Sequence, residues 1–257
     1  VAFAMSDWSG ATDETGVLGL RGTRGPPGLQ PRHGSGHETI VATPLANVPE
    51  VDGNCATSGG EYDGASSDSN ADITFYVGQR GDTQFVYLCV RVTSDGTQNA
   101  LDWGELLFDR NHDGQNPPQD GDRRFRVSSG SIALAKEKGD GTGGWTSCGL
   151  DCDAGDIGRG EFTNGEEVYE FRIRFSDVWG TNSPTGNQQA GFAIVAHNED
   201  TGFDATWGSD EVNENAPSTW GQIEIPEFPF LAGASVGLLA LVGVRRRSRR
   251  RFPPANP

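Results

Sequence analysis

The chain has 257 residues, enough for one sizeable domain with tails, and carries 36 acidic against 20 basic residues for a net charge of −16. Six arginines cluster near the C-terminus, so the part before Pro226 holds 35 acidic and 14 basic residues, about −21. Such a field repels nucleic acid and anionic lipid, which argues against a DNA- or RNA-binding role, and it favours solubility and cation binding.

Residues 1–47 are rich in Gly, Pro, Ser, Thr and charge and lack sustained periodicity, which predicts a disordered or poorly ordered segment. Val1-Ala2-Phe3-Ala4 ends in an Ala-x-Ala-like triplet, but no charged n-region or long apolar stretch accompanies it. A secretion signal is therefore expected upstream or in a fuller start. His33 and His37 are four apart, but Gly34 and Gly36 argue against a helix that would bring them together.

From Val48 to Ile225 short β-like runs alternate with Gly/Asp/Asn clusters. The candidate strands are Asp72–Val77, Phe85–Val92, Glu105–Phe108, Phe125–Val127, Ser131–Ala135, Val168–Phe175, Phe192–His197, Ala205–Trp207 and Trp220–Ile225. Val168–Phe175 alternates Tyr, Phe, Ile and Phe with Glu, Arg and Arg, which predicts one buried and one wet face. No ten-residue helical pattern competes before the tail. Many short strands with turn-rich links predict an all-β fold, an antiparallel β-sandwich or jelly roll.

Four cysteines fit an oxidising compartment. Cys148 and Cys152 share a Gly/Asp loop at a spacing that can close a small ring, leaving Cys55 and Cys89 to pair. Zinc is the rival reading, but there is no Cys-x-x-Cys and no nearby histidine.

Asp109-Arg110-Asn111-His112-Asp113-Gly114, followed by Asp120 and Asp122, places oxygen ligands at alternate positions before a glycine. This is the first half of an EF-hand-like loop, with Asp120 where such a loop closes, and the donors suit Ca²⁺. The same residues also serve an acidic hairpin whose Asp and Asn side chains hold turns. Asp151, Asp153 and Asp156 around Cys152 form a second acidic loop. Trp103, Trp145, Trp179, Trp207 and Trp220 are candidates for a sugar-stacking platform or for core packing, with Trp145 and Trp207 favoured as ligand contacts. Enzyme signatures are lacking: there is no Gly-x-Ser-x-Gly, no His-Glu-x-x-His and no phosphate loop, so the chain reads as a non-enzyme.

The segments VDGNCATSGGEYDGA, GDTQFVYLCVRV, WGELLFDRNHDGQNPPQDGDRRFRV, VYEFRIRFSDV and GFAIVAHNEDTGFDATW resemble, in order, those of family 9 carbohydrate-binding and DOMON-like domains. The resemblance covers about residues 50–225. It implies a β-sandwich of a group whose members bind sugars or calcium, and in some cases haem. Haem usually needs Met or His axial ligands, and the domain offers only His112 and His197, since Met5 precedes it.

The chain ends with Pro226-Glu227-Phe228-Pro229, an uncharged span Phe230–Val244, and Arg245, Arg246, Arg247, Arg249, Arg250 and Arg251. As a helix this span covers roughly 22 Å, which snorkelling arginines and flanking residues can extend towards the ~30 Å hydrocarbon core. The arginines would face the cytoplasm, leaving everything before Pro226 outside. The order of motif, span and basic cluster resembles the PEF-CTERM sorting signal of archaeal surface proteins. That resemblance implies an archaeosortase-like transpeptidase as partner and removal of the tail; an ordinary single-span membrane anchor reads the same residues. The expectation is an exported, surface-anchored, calcium-stabilised binding or structural module of residues 48–225 between a tail and a sorting signal (226–257). The alternatives are a carbohydrate-binding module supporting polysaccharide attachment or degradation, with a surface glycan as partner, and a surface glycoside hydrolase.

Overall fold

In the computed structural model, residues 38–57, 59–184, 188–209 and 211–226 are described. Glu227, Phe228 and Pro229 of the sorting motif, the apolar span, the arginine cluster, His33 and His37 lie outside them. No helix among the described residues is long and apolar enough to cross a membrane.

The strands in chain order are β1 (Thr39–Val41), β2 (Thr43–Pro44), β3 (Ser66–Ser69), β4 (Ile73–Arg80), β5 (Phe85–Val92), β6 (Trp103–Asp109) and β7 (Asp122–Ser128). They continue with β8 (Ala135–Gly139), β9 (Trp145–Ser147), β10 (Ile157–Thr163) and β11 (Glu166–Arg174). After a single turn of helix, α1 (Phe175–Trp179), come β12 (Gln189–Asn198), β13 (Phe203–Trp207) and β14 (Gly221–Glu224). Two sheets result. The larger runs β1-β14-β12-β6-β7-β8-β9, with β13 also on β12, and the smaller runs β10-β11-β5-β4-β2, with β3 also on β4. All pairings are antiparallel except β1 with β14 and β2 with β4.

The sandwich therefore takes in residues before Val48. β1 joins the larger sheet and β2 the smaller, with Ala42 fully buried between them, so one short segment stitches the two sheet edges together. Strands this short carry no readable period, and their backbone pairing holds them. The expected strand Ser131–Ala135 lies before β8, which begins where that stretch ends.

Period-2 alternation places Leu106, Phe108, Phe125, Val127, Phe192 and Ile194 of the larger sheet inward, against Phe75, Val77, Leu88, Val90, Phe171 and Ile173 of the smaller. Phe75, Phe192 and Trp207 meet at its centre, at ring separations of 4.9 and 5.4 Å around the indole. Gly104 lets the sheets approach, because a Cβ there would stand 2.3 Å from the Tyr169 ring.

The face of the smaller sheet expected to be wet is covered instead. Leu45, Tyr62, Phe85, Tyr87, Cys89 and Val168 form a second apolar layer there, and Glu170 is fully buried beneath it. The cover is the 50–65 loop, bound down by the Cys55–Cys89 disulfide (Cα–Cα 5.7 Å). Cys148 and Cys152 form the other disulfide (Cα–Cα 5.4 Å).

Candidate carbohydrate-binding face

The outer face of the larger sheet carries an unusual set of side chains. Trp103, Glu105 and Leu107 alternate outward along β6. Their neighbours on β12 are His197, Val195 and Ala193, and Arg126 and Arg124 stand opposite Glu105 and Leu107 on β7. Trp145 projects from the sheet edge, and Trp220 and Val212 complete a small apolar patch with Leu107, Ala193 and Val195.

Glu105 is fully buried at the centre. Arg126 pairs with it at 2.7 Å and Arg124 approaches to 3.7 Å, while Glu214 reaches both arginines at 3.3 and 3.5 Å. Burial, reinforced by the charge of Glu214, pushes the Glu105 carboxyl up to about 8 despite the two guanidinium groups. Its Oε1 has no hydrogen-bond partner. The arginines also lie on the indoles, Arg126 3.8 Å from the Trp103 ring centre and Arg124 5.0 Å from that of Trp145. Trp103 stacks on His197 (5.2 Å) and Trp145 on Trp220 (6.3 Å), with both Trp103 and Trp145 left half-exposed. Trp145 Nε1 donates to Asn215 Oδ1 at 3.1 Å. Partial burial would lower the His197 pKa, but hydrogen bonds to Asp204 (2.6 Å) and Glu199 (3.2 Å) outweigh it and hold the imidazole above its ordinary value.

Beside this cluster an open groove of about 630 Å³ runs between β13 and the 211–215 loop. Asp204, Thr206, Asn213, Glu214 and Asn215 line it with donors and acceptors, and Phe203 and Val212 add apolar edges. Partly exposed indoles that carry the Arg126 and Arg124 guanidinium groups on their rings offer a sugar their ring edges together with planar, charged hydrogen-bonding groups.

The sequence-derived site residues fall in different places. Trp145 belongs to this face, whereas Trp207 is 2% exposed, packs on Phe75 and Phe192, and donates Nε1 to Asp68 at 3.1 Å; it is a core residue. Nothing in the sequence marks Trp103, Glu105, Arg124, Arg126 and Glu214 as a set. Their shared parity on β6 and β7 is visible in the sequence, but the register that brings them together is not.

In the acidic loop, Asp109, Asp113 and Asp122 are buried. Gly114 N–H donates to Asp109 at 2.8 Å, Gln115 N–H and Asn111 Nδ2 donate to Asp113 at 2.9 and 2.6 Å, and Gln119 N–H donates to Asp122 at 2.6 Å. Burial, then the charges of Asp109 and Asp113, push Asp122 up to about 8, and its Oδ1 has no hydrogen-bond partner. The oxygens of these three carboxylates do not all come within 4.8 Å of one another, and Asn111 lies on the exposed side of the loop. Asp120 points away: its side chain is 82% exposed and pairs with Lys138 at 2.6 Å.

No protein-family model matches the chain, and no curated protein matches it. Solved structures do share the fold. A family 9 carbohydrate-binding module from Caldicellulosiruptor kristjanssonii in complex with glucose is 16% identical, with a TM-score of 0.53 over 74% of this chain and 97% of that one. A family 9 module from the same organism in complex with cellotriose is 14% identical, with a TM-score of 0.54 over 86% of this chain and 100% of that one. The chain thus shares the β-sandwich architecture of carbohydrate-binding modules.

Proposed function

We propose that the 38–226 sandwich is a carbohydrate-binding module displayed outside the cell, binding saccharide on the outer face of its larger sheet. The observation that carries this is the combination on that face of two half-exposed indoles, Trp103 and Trp145, with the Glu105–Arg124–Arg126–Glu214 cluster and the adjoining polar groove. Fold likeness to modules solved with glucose and cellotriose supports the ligand class, and the two disulfides support an oxidising location. We read the C-terminal motif, span and arginines as the means of surface attachment through an archaeosortase-like enzyme or directly in the membrane, and the 109–122 loop as a calcium-stabilised turn. The role is binding rather than hydrolysis.

A glycan array followed by calorimetry on the best soluble hit tests the ligand class. Binding should weaken at least about tenfold in Trp145→Ala and in Trp103→Ala, which is 1.4 kcal/mol. Binding to no glycan, or equal binding by both variants, would overturn the assignment. Turnover of chromogenic glycosides would favour a hydrolase instead.

A further inference from the structure

We propose a second divalent-cation site, distinct from the saccharide face and from the 109–122 loop, at Asp52, Glu61 and Glu170 under the disulfide-tethered loop. Among the described residues these three each present an oxygen within 4.8 Å of the others. They come from two places. Asp52 and Glu61 sit on the 50–65 loop, and Glu170 lies on β11 directly opposite Cys89 of β5. The Cys55–Cys89 disulfide therefore fixes the loop that carries two carboxylates over the strand that carries the third.

The carboxylates are already positioned from behind. Glu170 Oε2 accepts backbone N–H groups from Asp52 (2.8 Å), Gly53 and Asn54 (3.2 Å), and Glu61 Oε2 accepts the Glu50 N–H at 2.7 Å. These bonds orient the groups without supplying a counter-charge. The charges acting on Glu61 are those of Asp52 and Glu50, and Glu61 itself acts on Glu170.

An acidic cluster alone says little, but two buried polar atoms at this one lack hydrogen-bond partners. Glu170, fully buried, has no partner for Oε1. Tyr62, 1% exposed, turns its hydroxyl towards Glu170 without meeting hydrogen-bond geometry. Leaving both groups dry and unpaired is costly, most of all for a charge. A cation held by Glu170 Oε1, Glu61 and Asp52 neutralises the carboxylates. Water on the exposed Asp52 side can complete its coordination. All-oxygen, anionic, irregular donors suit Ca²⁺ better than Mg²⁺, which demands an octahedron and keeps its waters.

The test uses the full chain in Asp113→Ala background, so that calcium at the 109–122 loop does not contribute. Hydrogen exchange of residues 50–65 is followed with added CaCl₂, with NaCl at matched ionic strength as control. Calcium should slow exchange in this loop at least about tenfold, MgCl₂ should do less, and Asp52→Asn with Glu61→Gln should remove the response. Both substitutions lie outside the core and leave the Glu170 backbone contacts intact, and unchanged exchange in β5 and β11 would confirm that the variant is folded. A loop indifferent to calcium in the parent protein, or an equal response in the folded variant, would overturn the site. Glu170 would then hold the loop only through the backbone N–H groups it accepts. Neither result depends on saccharide binding.

Discussion

Glu105 and Arg126 stand opposite each other in the β6–β7 register and join at 2.7 Å, with Glu105 wholly buried and Arg126 31% exposed. The pair couples the stability of the sandwich to its outer face, because the guanidinium that neutralises Glu105 also covers the Trp103 ring. Removing Arg126 leaves a buried acid with only Arg124 beside it at 3.7 Å, whereas Glu105→Gln keeps the shape and removes the charge. At pH 9, where Glu105 has lost its proton, Arg126→Ala should therefore destabilise the domain by about 3 kcal/mol, the low end for breaking a buried pair, and Glu105→Gln by clearly less. Urea denaturation of both variants checks the order. An Arg126→Ala loss no larger than that of Glu105→Gln would mean that Arg124 and solvent suffice.

The buried acids also set a pH dependence. Glu105 is pushed to about 8, and Glu167 to about 7, the latter by burial against the hydrogen bond from Ser129. Both bind protons more tightly folded than unfolded, where a glutamate titrates near 4.3. Between those values the folded state holds the extra protons, so stability is fully present below the unfolded pKa and is lost as pH rises through about 7 to 8. Exposed acids such as Asp82, Asp120 and Asp200, lowered chiefly by hydrogen bonds, act oppositely and only at acid pH. Denaturation midpoints should fall from pH 5 to pH 9, and Glu105→Gln should flatten the slope. A midpoint that rises over this range would show the two groups ionised at little cost.

Much of the sandwich was legible because alternation survives wherever one face is buried. Phe85–Val92 is read to the residue, and β6, β7, β11 and β12 are found with shifted ends. β1, β2, β3 and β9 escape because two to four residues cannot display a period. β10 escapes because its glycines at 158 and 160 break the apolar pattern; Gly160 is there since a Cβ would meet Ser128 O at 2.2 Å. Of the proposed saccharide face, the sequence marks Trp103 and Trp145 as candidate aromatic contacts. The rest depends on strands β6 and β7 lying together and on a distant loop bringing Glu214, a relationship that exists only in the folded register. Asp120 matched a ligand spacing, yet its partner Lys138 lies on a neighbouring strand that local spacing cannot reveal.

The disulfides should contribute unequally. Cys55–Cys89 closes a separation of 34 residues and Cys148–Cys152 one of 4. Loop-closure entropy gives about 3–4 kcal/mol for the first and about 2 for the second. Cys55→Ser with Cys89→Ser also releases the cover over Glu170, so it should lower the melting temperature more than the corresponding 148/152 pair. Thermal denaturation of both double variants decides, and the reverse order would show that the loop is held by its contacts rather than by the bond.

Surface attachment through a sorting enzyme has a direct mass signature. If the tail is processed, intact-mass analysis of the native protein should end near Pro226. Arg245–Arg251 still present in the mature protein would reduce the tail to a simple membrane anchor.

The 109–122 loop offers a last test, and its geometry sharpens which residues should matter. Asp109, Asp113 and Asp122 are the buried acids, while Asp120 is engaged with Lys138 at the surface. If the buried three hold Ca²⁺, a chelator leaves neighbouring carboxylates without a cation between them, and their repulsion loosens the β6–β7 connection. Ligand linkage sets the scale at about 2.7 kcal/mol when free calcium is a hundred times its dissociation constant. The Asp52–Glu61–Glu170 site would respond to the same chelator, so the measurement is made with Asp52→Asn and Glu61→Gln in place. Calcium should then raise the melting temperature, Asp113→Ala should largely abolish that response, and Asp120→Asn should leave it nearly intact. Sodium chloride at matched ionic strength separates specific binding from screening of a domain near −21. Equal rescue by salt and calcium, with no effect of Asp113→Ala, would leave the loop as an acidic turn held by its Asp and Asn hydrogen bonds.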